Sequence, residues 1–255
     1  METRRDFFLE FEFASLEELD KIALVACQDY NLGNRGDWFG CFRGGLHGLH
    51  ARVYAVRGHF YDVHAWVPSR RLPVETESQV STILFNMDSA IECFVFMLNA
   101  LGWAIAPDQF LDVTDGKTLK RIAPRNIVGT QPVLGYSAYF PSLQRHWMAH
   151  AELLQMITDQ HDVSKHRTAI SQGGQHRLDA PAGFYESLGI PDDPSARFLF
   201  WPMAEILLMP NPKGPAASRT PTSADQCPML EQLAEQFCAF MNLSCDKALD
   251  DAATI

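Results

Sequence analysis

Residues 161–167, HDVSKHR, hold the densest set of side chains able to do chemistry. His161 and Lys165 stand four apart, as do Asp162 and His166, so in a helix each pair shares a face. An aspartate one turn ahead of a histidine can accept its N–H, orient the ring and raise its pKa. Lys165 and Arg167 add donors suited to phosphate oxygens. The competing reading is an ordinary helix end, where basic residues interact favourably with the helix dipole.

A second constellation would suit a metal. Asp88 and Glu92 are four apart, Asn99 lies seven beyond Glu92, and His146 and His150 are again four apart. Carboxylates and imidazoles facing inward from neighbouring helices are how bundles hold metal ions. No Glu-x-x-His accompanies them, and His47, His50, His59 and His64 do not complete the spacing. The expectation is therefore that Asp88 and Glu92 bond to or cap neighbouring elements, with no metal and no cofactor. Phosphate loops, dinucleotide glycine motifs, the GxSxG elbow and HExxH are all missing. PRNIVG, residues 124–129, reads as loop.

The elements that must position these groups are mostly helices. Over residues 75–105, Val80, Leu84, Met87, Ile91, Phe94, Leu98, Leu101 and Ile105 recur at alternating steps of four and three, which keeps one stripe facing inward. Ile83, Ala90, Met97 and Ala104 widen the stripe, so this helix is predicted to be surrounded by partners. At about 1.5 Å per residue it spans roughly 45 Å. Asp88 and Glu92 interrupt any apolar run long enough to cross a bilayer, so no membrane is expected.

Around that helix, FFLEFEF (7–13) alternates as a short strand does. Ser15 and Glu18 form a capping-box pattern opening a helix that ends near Gly33. The glycines at 33, 36, 40, 44, 45 and 48 suggest a flexible connection, with the next helix running from about Gly45 to Val67. Residues 106–141 read as a long irregular connection with one short helix around Thr118–Ile122. A second strong helix covers 140–170. Eight of the fifteen prolines fall between 181 and 221, and 196–210 read as one or two strands with Pro202 at an edge or bulge. Residues 229–243 form a last amphipathic helix. The expected fold is mainly α: one domain over 1–255, a helical bundle around 75–105. Its helical core covers about 15–170, and a Pro-rich segment and terminal helix occupy 175–255. A small β element is expected from the N-terminal segment and 196–210.

Composition narrows the function classes. A hydrophobic share of 47% with 20% charged residues is that of an ordinary globular chain. The N-terminus lacks the apolar core and cleavage site of a signal peptide, and the six cysteines contain no CxxC pair. A reducing cytoplasm is the expected setting. The net charge of −10 argues against general nucleic-acid affinity. Yet residues 115–177 carry eight basic side chains against four acidic ones, +4 in all, which leaves −14 on the rest.

A long apolar helix, an irregular connection and a second long helix ending in a polar, histidine-bearing motif resembles the HEPN superfamily of small helical bundles, over about residues 45–170. That family carries an Arg, then a polar Asn or Asp, then a His after three more positions. Here Asp162 and His166 match the polar and histidine positions, while His161 stands where the arginine belongs. The resemblance implies a homodimer with paired motifs, acting as a metal-independent endoribonuclease or as a binding module that has lost catalysis. In a ribonuclease of this kind His166 would serve as general acid or base and Asp162 would orient it, while His161, Lys165 and Arg167 would hold phosphate. Arginine's bidentate hold on phosphate is missing here. The expectation is therefore a binding or regulatory module engaging RNA or a nucleotide through 161–167, with cleavage weak or absent. A metal-binding bundle is the remaining alternative.

Overall fold

The computed structural model describes residues 9–65, 73–130, 132–166, 206, 208, 213 and 229–254. The described residues form a helical bundle with a long central helix. In chain order the helices are α1 (Ala14–Gln28), α2 (Tyr30–Gly33), α3 (Trp38–Ala65), α4 (Pro73–Ile105), α5 (Gly116–Leu119), α6 (Arg125–Val128), α7 (Leu134–Tyr139), α8 (Pro141–Ala149), α9 (Ala151–His166) and α10 (Leu230–Ala252). No strand occurs among them. Residues 9–13 have no regular structure, Leu208 and Met229 occupy isolated bridge positions, and 196–205 lie outside the described residues. The β element expected from the two ends of the chain is not seen.

The central helix forms as its stripe dictates. Val80, Leu84, Met87, Ile91, Phe94, Leu98 and Leu101 are at most 1% exposed, and Ile83, Ala90, Met97 and Ala104 are fully buried. α4 starts at Pro73, whose missing N–H costs nothing in a first turn. It stops at Ile105, since Pro107 disfavours helical geometry at Ala106. Arg35 Nη1 donates to the carbonyls of Ala104 and Ile105 at 2.6 and 3.3 Å, which satisfies two orphan acceptors at the negative end of the dipole. By length and composition α4 meets the requirement for a membrane span, a test that buried core helices also pass.

Contacts divide the chain into two compact units. One comprises 8–55, 86–156 and 236–255. Here Gly40, Gly44, Gly45 and Gly48, read as part of a flexible connection, lie inside α3, which begins at Trp38, while Gly33 ends α2 and Gly36 lies between the two helices. A Cβ on Gly45 would meet the backbone of Cys93 and Met97 at 2.8–2.9 Å, and one on Gly48 would meet Cys93 Sγ at 2.8 Å. These glycines are a contact surface that lets two backbones approach closely. In the same unit Trp147 stacks on Phe94 with centroids 5.7 Å apart and donates through Nε1 to Ser244 Oγ at 2.9 Å. Asp251 Oδ2 accepts from the backbone N–H groups of Ser142 and Leu143 at 2.9 and 3.0 Å, capping α8 from a distant helix.

Other boundaries also shift. Ser15 does not cap α1. Its hydroxyl donates to Asp246 Oδ1 at 2.5 Å, and the N-cap position falls to Phe13 with no side-chain bond. α1 ends at Gln28 because Asp29 turns extended and caps α2 through Asn31 and Leu32. The helix expected over 140–170 breaks at His150, where φ −113° and ψ 20° separate α8 from α9. The 106–141 connection holds three short helices, and PRNIVG forms α6. Phe110 fixes this segment by packing edge-on to Tyr136 and Phe140 against Gly102 and Gly135, where any Cβ would collide with its ring.

The other unit comprises 1–7, 56–85 and 157–235. Within it Ile206 N–H donates to both carboxylate oxygens of Glu231 at 3.0 and 3.1 Å, and its carbonyl accepts from Leu230 N–H at 2.8 Å. His59 Nδ1 lies 2.7 Å from Gln79 Oε1.

Candidate ligand-binding site

The HDVSKHR segment forms the last turns of α9 as far as His166. Its side chains divide by helical phase. Leu154 and Ile157 are buried, and the next position on that line is His161, only 6% exposed. Its ring meets Phe85 edge-on, with centroids 5.4 Å apart. Lys165, one turn on, is exposed. The side chain of His166 and all of Arg167 lie outside the described residues.

Asp162 sits about 100° round the helix from His161 and is part-exposed. Its Oδ2 accepts from Lys213 Nζ at 2.9 Å, and Asp159 Oδ1 holds the same ammonium at 2.6 Å. Two carboxylates three apart on one face draw in a cation, and Lys213 fills that role. The bond from Asp159 is the main reason the Lys213 pKa is raised above its ordinary value. Sequence spacing signals the carboxylate pair, but Lys213 comes from the distant Pro-rich segment, where nothing marks it. The burial of His161 was more accessible, since it continues the Leu154–Ile157 line by one turn.

Three residues of the second constellation, Asn99, His146 and His150, bond to neighbouring backbone. Asn99 is fully buried, with Nδ2 donating to Leu111 O at 2.7 Å and Oδ1 accepting from Leu111 N at 3.2 Å. Asp88 is buried, whereas Glu92 is exposed. Among the described residues no three His, Cys, Asp or Glu side chains gather as a metal set. His146 and His150 have ring centroids 4.5 Å apart and both pack on Phe240. His146 Nε2 donates to Phe240 O at 3.2 Å, and His150 Nδ1 donates to His146 O at 2.9 Å.

Burial is the largest influence on His146 and lowers its pKa below 6.5, with His150 and Lys247 adding to the shift and the Phe240 bond opposing it. The fold thus prefers the neutral ring. Its contribution to stability is present above pH 6.5, the unfolded value, and is lost as pH falls through the lower folded pKa. In urea titrations at neutral and mildly acidic pH, wild type is expected to lose more stability than His146→Gln. Equal losses in the two proteins would contradict the assignment.

Compared with models of protein families, with curated proteins and with solved structures, the chain shows no significant match.

Proposed function

We propose that this chain is a HEPN-like helical binding module that engages RNA or a nucleotide through the end of α9 and does not cleave it. The observation that carries this reading is that two motif residues are engaged within the fold: His161, expected to hold phosphate, and Asp162, expected to orient His166. His161 is packed on Phe85, and Asp162 is bonded to a lysine that it shares with Asp159. A buried imidazole is poorly placed to hold phosphate, and a carboxylate bonded to a lysine is less available to orient His166 for proton transfer. Lys165 stays exposed on the last turn, where an ammonium can reach a phosphate. A second copy of the chain is the partner such modules pair with, bringing two motifs together.

The test compares wild type, Lys165→Ala and His166→Ala for binding and cleavage of a short single-stranded RNA. Wild type is expected to bind and to leave the RNA intact. Lys165→Ala should weaken binding roughly 2- to 5-fold, the size of one exposed ionic contact. Robust cleavage by wild type that His166→Ala abolishes would overturn the proposal and make the protein a nuclease.

A further inference from the structure

The end of α9 offers few cations to a polyanion. Lys213 is committed to two carboxylates, which leaves Lys165 as the exposed cation there among the described residues. A richer surface lies in the other compact unit. Residues 116–151 contain Lys117, Lys120, Arg121, Arg125 and Arg145 and no aspartate or glutamate, in a chain of net charge −10. All five are exposed. Among the described residues none forms an ion pair with a carboxylate, and Arg145 Nη2 bonds to Ser142 Oγ at 3.2 Å. Asp115, the nearest acid before the run, turns its carboxylate onto Lys117 N, Thr118 N and Thr118 Oγ1, where it caps α5.

The backbone beneath these cations is fixed. Ile127 of α6 is fully buried, and its carbonyl accepts from Gln144 Nε2 of α8 at 3.3 Å. Asn126 ties the same stretch together, with Oδ1 accepting from Ala123 N at 2.6 Å and its carbonyl accepting from Val133 N at 2.8 Å. Five cations with no carboxylate partner among the described residues, carried on an anchored backbone, give up little backbone entropy when they meet a polyanion. Because the rest of an acidic chain repels that polyanion, contact is confined to the patch.

We infer that Lys117, Lys120, Arg121, Arg125 and Arg145 form a binding surface for the phosphate backbone of single-stranded RNA. This rests on the RNA reading above but places most of the affinity away from α9. A single strand can follow the patch alone. An anionic bilayer would instead face the molecule over an area far wider than the ~8–10 Å screening length, and so meet the acidic remainder. The four-residue helices α5 and α6 also have no apolar face long enough to lie in a membrane interface.

The experiment follows a fluorescent single-stranded RNA by anisotropy across a salt series, with phosphatidylserine vesicles as a parallel arm. It uses wild type, Lys165→Ala and a variant combining Lys117→Glu, Lys120→Glu, Arg121→Glu and Arg125→Glu. These four side chains are exposed, and circular dichroism checks that the fold is kept. The combined variant is expected to bind RNA roughly 10- to 100-fold more weakly. Its slope of log affinity against log salt should be shallower by about 3, at about 0.7 for each phosphate no longer neutralised. Unchanged affinity and slope in that variant, with binding abolished in Lys165→Ala, would overturn this inference and leave the α9 reading standing. Weakening in the combined variant alone supports the patch and removes α9 from RNA contact. Wild-type binding to vesicles without binding to RNA would overturn both.

Discussion

Replacing Leu98 by Ala is expected to lower the free energy of unfolding by about 2–5 kcal/mol, as truncation of a buried leucine does where the surroundings relax only partly. Leu98 is fully buried on the central stripe of α4, between Phe94 and Leu101. The loss combines the transfer energy of the missing methyl groups with the cavity they leave, and close packing limits how far neighbours can fill it. Val25→Ala supplies the control. Val25 is 68% exposed on α1, and its truncation should change stability by no more than about 0.5 kcal/mol. Urea denaturation followed by circular dichroism measures both. A loss below about 0.5 kcal/mol at Leu98 would show that the stripe faces solvent.

The second large effect is expected at Asn99→Leu. The replacement keeps the branching of the side chain, so the loss comes mainly from the polar contacts, with some overpacking by the larger methyl groups. Asn99 brackets Leu111 through both side-chain atoms, and leucine would leave the Leu111 N–H and C=O unpaired beside a buried helix. Each such group costs about 1–3 kcal/mol, so the variant should lose about 2–5 kcal/mol in total. Hydrogen exchange should also quicken over residues 106–115, because Asn99 ties the start of the connection to α4. Stability within about 0.5 kcal/mol of wild type, with unchanged exchange, would mean that water replaces those bonds freely.

Helical periodicity was the legible part of this sequence. The four-three alternation over 75–105 defines a buried helix because each step returns to one face, and α4 follows it. Boundaries were harder wherever a distant partner decides them. Ser15 and Glu18 satisfy a local capping rule, but Asp246 draws the serine hydroxyl away. Gly45 and Gly48 look like breakers in one dimension, whereas opposite Cys93 and Met97 they are the residues small enough to fit. The break at His150 has no glycine or proline to announce it.

At the candidate site, the helical placement of 161–166 could be read from spacing. The burial of His161 follows from the Leu154–Ile157 line that it continues, but that Phe85 is the ring it meets depends on the fold. Lys213 was beyond reach for a similar reason, being set against Asp159 and Asp162 only by the fold. The basic run beyond Asp115 was visible as a charge imbalance. Its exposure and, among the described residues, its lack of carboxylate partners emerged only once α5, α6 and α8 were placed.

The central claim, a module that binds RNA without cutting it, is tested most directly by one incubation of wild-type protein with end-labelled single-stranded RNA. Bound fraction and strand length are read from the same samples over hours. Saturable binding with the strand length unchanged is the predicted result. Shortened RNA, appearing in proportion to wild-type protein and missing from His166→Ala, would contradict it.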